Sequence, residues 1–167
     1  MRIVLAASVA FLTFPAQTAR ADSTCDVITR AMLAVADQPV RQRMLQGPPG
    51  RETVLMESLA LKDAMFLRDT DSGRWTRMPI GRAEMRLMAE AALAKLPLSA
   101  CSGPRAGDDG GTPVLVYDYT QPNPLKPSEP SRSTIWIGKA DGRLRRIVLS
   151  DGSYQTIEYG DFAAPAP

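Results

Sequence analysis

The sequence predicts a single α+β domain built on one curved antiparallel sheet, and three observations predict it. Two segments carry apolar residues at helical spacing. The rest of the chain breaks into short alternating or wholly apolar stretches, and Gly, Pro and Asp-Gly pairs punctuate them. No repeat is visible, and the order helix, strands, helix, strands lacks the regular alternation of a parallel sheet.

The first helix is expected over 25–37, where Val27, Ile28, Ala31, Met32 and Val35 recur on one side. Asp22, Ser23 or Thr24 can cap its start, and Pro39 ends it. Strands follow over 40–46, 52–61, 64–68 and 74–78, separated by the turn Gly47-Pro48-Pro49-Gly50 and by a tip over 69–73. The second helix is expected over 82–96, with Met85, Met88, Ala92 and Leu96 on one face and Pro97 as its stop. Residues 102–112 read as an exposed Gly/Asp loop. A strand over 113–120 precedes 121–131, whose four prolines cannot sit in a central strand. Strands over 133–138, 143–149 and 153–159 then form a meander turned at Asp141-Gly142 and Asp151-Gly152. The sheet should hold six or more strands, with both helices on its concave face.

The N-terminus reads as a cleavable signal peptide over 1–21: Met1-Arg2, an apolar run over 3–14, then Ala19-Arg20-Ala21. The run is too short to span a bilayer, so the mature chain is expected to have no transmembrane segment. The polar Asp22-Ser23-Thr24 before Cys25 argues against a lipid-modified cysteine. One domain over 22–162 and a disordered tail over 163–167 complete the division. The periplasm is the expected location, with secretion as second choice.

Loss of Arg2 and Arg20 takes the formal net charge from +2 to zero. The pI of 8.7 is therefore no nucleic-acid signal, and no nucleic-acid partner is expected. The densest basic cluster, Lys139, Arg143, Arg145 and Arg146, reads as a solvated strand face. Two cysteines in an oxidising compartment predict a structural Cys25–Cys101 disulfide. A loop of that length is worth roughly 4.5 kcal/mol in the chain-entropy model.

The chain has no histidine, which removes Ser-His-Asp and Cys-His catalysis and the usual zinc sites. No metal and no cofactor are expected. Asp69-x-Asp71-x-Gly73 fails as a calcium loop because the twelfth position is Ile80 rather than a bidentate Glu. Asp108-Asp109 reads as a solvated pair. Glu57, Asp118 and Glu158 lie within strands and could pair across a cavity as hydrolase carboxylates. No array of aromatics accompanies them, and a hydrolase is the weakest of the readings.

Several strands are apolar at consecutive positions: Val54-Leu55-Met56, Met65-Phe66-Leu67 and Ile135-Trp136-Ile137. Either both faces of the sheet are covered or one surrounds an apolar space. The eight methionines suit an adaptable lining or a methionine-rich core alike.

Certain phrases are similar to those of the outer-membrane lipoprotein carrier-like (LolA/LolB-like) superfamily. They are Met65-Phe66-Leu67 followed by Gly73-Arg74-Trp75-Thr76, and Val116-Tyr117-Asp118-Tyr119. Later come Ile135-Trp136-Ile137-Gly138-Lys139, then Asp141-Gly142-Arg143-Leu144-Arg145-Arg146, and a final Ile157-Glu158-Tyr159-Gly160. The turn Gly142-Arg143-Leu144 lacks the proline of the superfamily pattern. The resemblance covers most of the mature chain. It implies an incomplete β-barrel wrapped around helices, with an apolar cavity for acyl chains. It also implies an arginine on an early strand, for which Arg41 and Arg43 are the candidates.

The function expected is that of a non-enzymatic binding or carrier protein for lipid, a lipidated protein or another amphipathic ligand, as a monomer. The alternative is a structural or protein-interaction domain of the cell envelope without a ligand. The cavity candidates follow from the period of two along strands. They are Val54, Met56, Met65, Leu67, Trp75, Leu115, Tyr117, Ile135 and Ile137, closed by Met85 and Met88 of the second helix.

Overall fold

The computed structural model describes residues 21–123, 126 and 128–166. Residues 1–20, which hold most of the expected signal peptide, lie outside them. Helix α1 (Ala21–Leu33) turns its apolar stripe to the core, and Ile28 is fully withdrawn from water. It tightens into a 3-10 turn, Ala34–Asp37, before Pro39, which has no N–H to continue the helical ladder.

Four strands follow as hairpins: β1 (Val40–Gln46), β2 (Thr53–Ala60), β3 (Met65–Arg68) and β4 (Trp75–Met78). The 69–73 tip is a side-chain-capped turn. Asp69 Oδ1 accepts from the Asp71 N–H, the Ser72 N–H and the Ser72 hydroxyl at 3.0, 2.7 and 2.9 Å. Helix α2 (Arg82–Lys95) starts at Gly81, whose N–H donates to Glu84 Oε2 at 2.9 Å. A Cβ at Gly81 would stand 2.9 Å from the Lys62 carbonyl, so only glycine lets the helix enter here. None of the residues of α2 is buried.

The chain returns through β5 (Ser99–Asp109), β6 (Thr112–Gln121), β7 (Ser131–Gly138), β8 (Leu144–Val148) and β9 (Tyr154–Tyr159). The expected loop over 102–112 is thus mostly strand, which corrects the sequence reading. The reason is its position at the sheet's edge. Most of β5 is exposed, so it carries no apolar alternation, and its register with β6 shifts twice around Gly103-Pro104. An edge with bulges tolerates Pro104. Gly103 has φ +118°, and a Cβ there would meet the Val116 carbonyl at 2.8 Å.

All nine strands form one open antiparallel sheet in the order β4-β3-β2-β1-β9-β8-β7-β6-β5. It does not close into a barrel, and β4 and β5 are its edges. The α+β class with a single antiparallel sheet stands as expected. The Cys25–Cys101 disulfide joins α1 to β5 across a sequence separation of 76.

The two faces differ in content. On the helix side Ile28, Ala31, Val40, Ala60, Tyr117, Tyr119, Ile135, Ile137, Leu144 and Ile157 make the main core. On the far face Leu59, Ala64 and Phe66 make a smaller cluster, against which Trp75 and Phe162 pack. Both faces of β3 and of the 57–60 end of β2 are therefore covered, which explains Met65-Phe66-Leu67, whereas in Val54-Leu55-Met56 Leu55 and Met56 stay 47% and 42% exposed. A single transverse row also crosses the far face from edge to edge. Trp75, Arg68, Glu57, Arg43, Thr156, Arg146, Trp136, Val116 and Arg105 are successive cross-strand partners.

Candidate functional site

Apolar side chains that meet along a sheet and two helices leave space wherever a helix is narrower than the sheet it covers. Here α1 lies along the helix side, and a cleft opens on each flank. The first, about 290 Å³, is lined by Met32, Val35 and Ala36 of the helical arm and by Met85 and Ala89 of α2. Its floor is Gln42, Met65, Leu144, Ile147, Gln155 and Ile157. Gln155 Nε2 donates to Gln42 Oε1 at 2.6 Å, so the two floor amides satisfy one another. No lining residue of this cleft titrates. Its volume sits at the lower end of small-ligand sites, about 300 Å³.

The second cleft, about 360 Å³, is lined by Val27, Arg30, Ala31 and Ala34 of the helical arm. Leu115, Tyr117, Ile137, Gly138, Lys139 and Gly142 form its other wall. The cross-strand pair Ile137–Leu144 lies between the clefts, Ile137 lining one and Leu144 the other.

The α2 wall is held by polar contacts rather than by burial. Arg86 Nη1 donates to Asp37 Oδ1 and Arg82 Nη1 to the Asp37 carbonyl, both at 2.7 Å. Gln121 Nε2 donates to the Leu96 carbonyl at 2.8 Å.

Of the residues assigned to a cavity from the sequence, Met65 and Met85 line the first cleft, and Leu115, Tyr117 and Ile137 the second. Ile135 is wholly buried in the core between them. Val54 and Leu67 line neither cleft and are partly buried. Met56 and Met88 are 42% and 60% exposed and line neither. Met88 sits on the side of α2 turned from the sheet, because the helix meets the domain through Met85 and Ala89 one turn apart. Trp75 lies on the opposite face. It pairs with Arg68 and packs with Phe66, so the inward assignment of that strand was one residue out of phase. The helical arm, supplying Val27, Met32, Val35 and Ala36, was missed as lining although its apolar stripe was in view. Gln42 and Gln155 carried no sequence signal, since an inward glutamine reads as an outward one.

The strand carboxylates do not pair across either cleft. Glu57 is buried on the far face among Arg41, Arg43 and Arg68, at 3.6, 3.4 and 3.0 Å. Glu158 lies beside Arg41 and Arg43 at 3.7 and 3.9 Å. Arg41 and Arg43, the early-strand arginines, therefore face away from both clefts. Asp118 is clamped by Arg105 and accepts from the Thr134 hydroxyl at 2.7 Å. The Arg105 hydrogen bond, the largest influence, holds its carboxyl below the usual range. Burial pushes the Tyr159 phenol up to about 12 although Arg145 and Arg143 lie over its ring. Asp118, shifted down, and Tyr159, shifted up, are each held in one protonation state at neutral pH.

No protein-family model matches the chain, and no curated protein matches it. Among solved structures it is similar to the crystal structure of the lipoprotein LppX of Mycobacterium tuberculosis. The identity is 11% and the TM-score 0.48, over 87% of this chain and 98% of that one. It is also similar to a LolA-superfamily protein of Nitrosomonas europaea. There the identity is 8% and the TM-score 0.29, over 87% of this chain and 94% of that one. At these identities the likeness is at most one of fold.

Proposed function

We propose that the chain is a non-enzymatic periplasmic binding protein that holds an apolar chain, from a lipid or a lipidated protein, in the first cleft. The observation that carries this reading is the lining: nine apolar side chains, a mutually bonded glutamine pair and no charge. Three methionines among them, Met32, Met65 and Met85, can repack around ligands of different shape. The paired cysteines and the signal-like N-terminus support an oxidising compartment.

A neutral fluorescent lipid, such as a dye-labelled long-chain alcohol, added to the purified protein should show saturable binding. Ala89→Trp, on the open helix α2, fills the cleft without replacing a core residue and should weaken that binding about tenfold or more at an unchanged melting temperature. A wild-type protein that binds no apolar probe defeats the reading. The interaction-domain alternative has one observation in its favour, the exposure of Leu87 (64%) and Met88 (60%) on α2.

A further inference from the structure

The two clefts share a helix but not a chemistry. The second has an apolar interior of Val27, Leu115, Tyr117 and Ile137, bordered by two cations, Arg30 from α1 and Lys139 from the β7–β8 turn. Among the described residues neither cation has a carboxylate within ion-pair distance. Arg30 spends its Nε on the Asp26 carbonyl at 3.3 Å and leaves its terminal nitrogens to the rim. At the same turn Asp141 engages Arg143 and Arg145 and passes Lys139 by. Both cations are exposed.

An apolar slot with two free cations at its mouth is complementary to a molecule with a chain and one negative head. We infer that the second cleft binds a single-chain anionic amphiphile, its chain against Leu115, Tyr117 and Ile137 and its carboxylate or phosphate between Arg30 and Lys139. This rests on the reading that the helix side takes apolar ligands, and it assigns the charged class to one flank and leaves the other flank neutral. Lys139 supplies a mobile point charge and Arg30 a planar fork, so the pair accepts either oxyanion.

The test compares decanoate, decyl phosphate and decanol, each below its aggregation limit, by isothermal titration of the full-length folded protein. Wild-type protein should prefer the anions over decanol by roughly three- to tenfold, the size that two solvent-screened ion pairs supply. The preference should shrink as salt is raised. Arg30→Gln with Lys139→Gln, both at the surface, should erase the preference while decanol affinity and the melting temperature stay put. Ala89→Trp, in the other cleft, should leave the preference intact. Tighter binding of decyl phosphate than of decanoate identifies a phosphate head, and the reverse a fatty acid. Equal affinity for all three in the wild type, or a preference that survives the double substitution, overturns the inference and leaves the apolar-ligand reading standing. Binding of none of the three removes both.

Discussion

On the helix side Ile28, Val40 and Ile135 are withdrawn completely from water and touch other apolar groups. On the far face Glu57 is nearly as deeply hidden, at 6% exposure, yet its partners are Arg41, Arg43 and Arg68. Farther along the same row the Arg146 guanidinium lies 4.9 Å from the Trp136 ring and 5.0 Å from the Tyr154 ring, and it reaches Asp109 at 2.6 Å. One face is stabilised by exclusion of water. The other is covered by long side chains that lie flat and satisfy each other. Burial of apolar area is non-directional and strong, whereas a part-exposed ion network is directional and weak. The stability of the domain should therefore reside mainly on the helix side, and the ion row of the far face should tolerate change better than the Leu59–Phe66 cluster beside it.

The largest expected effect concerns the clamp that only the helix side has. Replacing Cys25→Ser with Cys101→Ser should cost about 4 kcal/mol, from a loop of 76 residues. Chemical denaturation of the double variant against wild type measures it, and a loss under about 1 kcal/mol would show that α1 is fixed by packing alone. Next comes Ile135→Ala, which removes a fully buried branched side chain and should cost about 3 kcal/mol, read from the urea midpoint at unchanged slope.

Glu57→Gln should cost less, about 1–2 kcal/mol, because the three arginines it leaves crowded are a third to a half exposed and can turn to water. A loss equal to that of Ile135→Ala would break the contrast between the faces. The smallest effect is acid-dependent. Asp118 has its carboxyl depressed from 3.8, chiefly by the Arg105 hydrogen bond. Its contribution is complete above the unfolded-state value of 3.8 and is lost as pH falls through the lower folded-state value. The melting-temperature gap between wild type and Asp118→Asn should therefore be open near about pH 6 and narrow below about pH 3.

Much of this architecture was legible in the residues. Both helices announce themselves by apolar spacing, and eight strands by their punctuation. The ninth, β5, did not, because an exposed edge strand has no buried side to leave an alternating trace. For the site, the limit was phase. In Met65-Phe66-Leu67 both faces are apolar, so the sequence does not say whether Phe66 or its neighbours point to the helices. The structure sends Phe66 to the far face beneath Phe162 and leaves Met65 in the cleft. Trp75 was misplaced for the same reason, its strand being too short for its burial pattern to vote. The rim cations were visible only as charges, since Arg30 and Lys139 stand far apart in sequence and meet one cleft through the fold.

The strand order carries a consequence for how the molecule is made. Strands β1 to β4 form one run of hairpins and β5 to β9 another, and the two are joined in the sheet by the β1–β9 pair alone. A chain delivered N-terminus first can assemble the first run early, but β1 then waits with a bare edge until residues 154–159 arrive. The sheet is complete only once β9 has arrived, and the interval before that is when the molecule is most open to pairing with the wrong strand. A chain cut short before Tyr154 would keep β1–β4 and β5–β8 but lose the strand that joins them in the sheet, leaving α1 and its Cys25–Cys101 disulfide as the link.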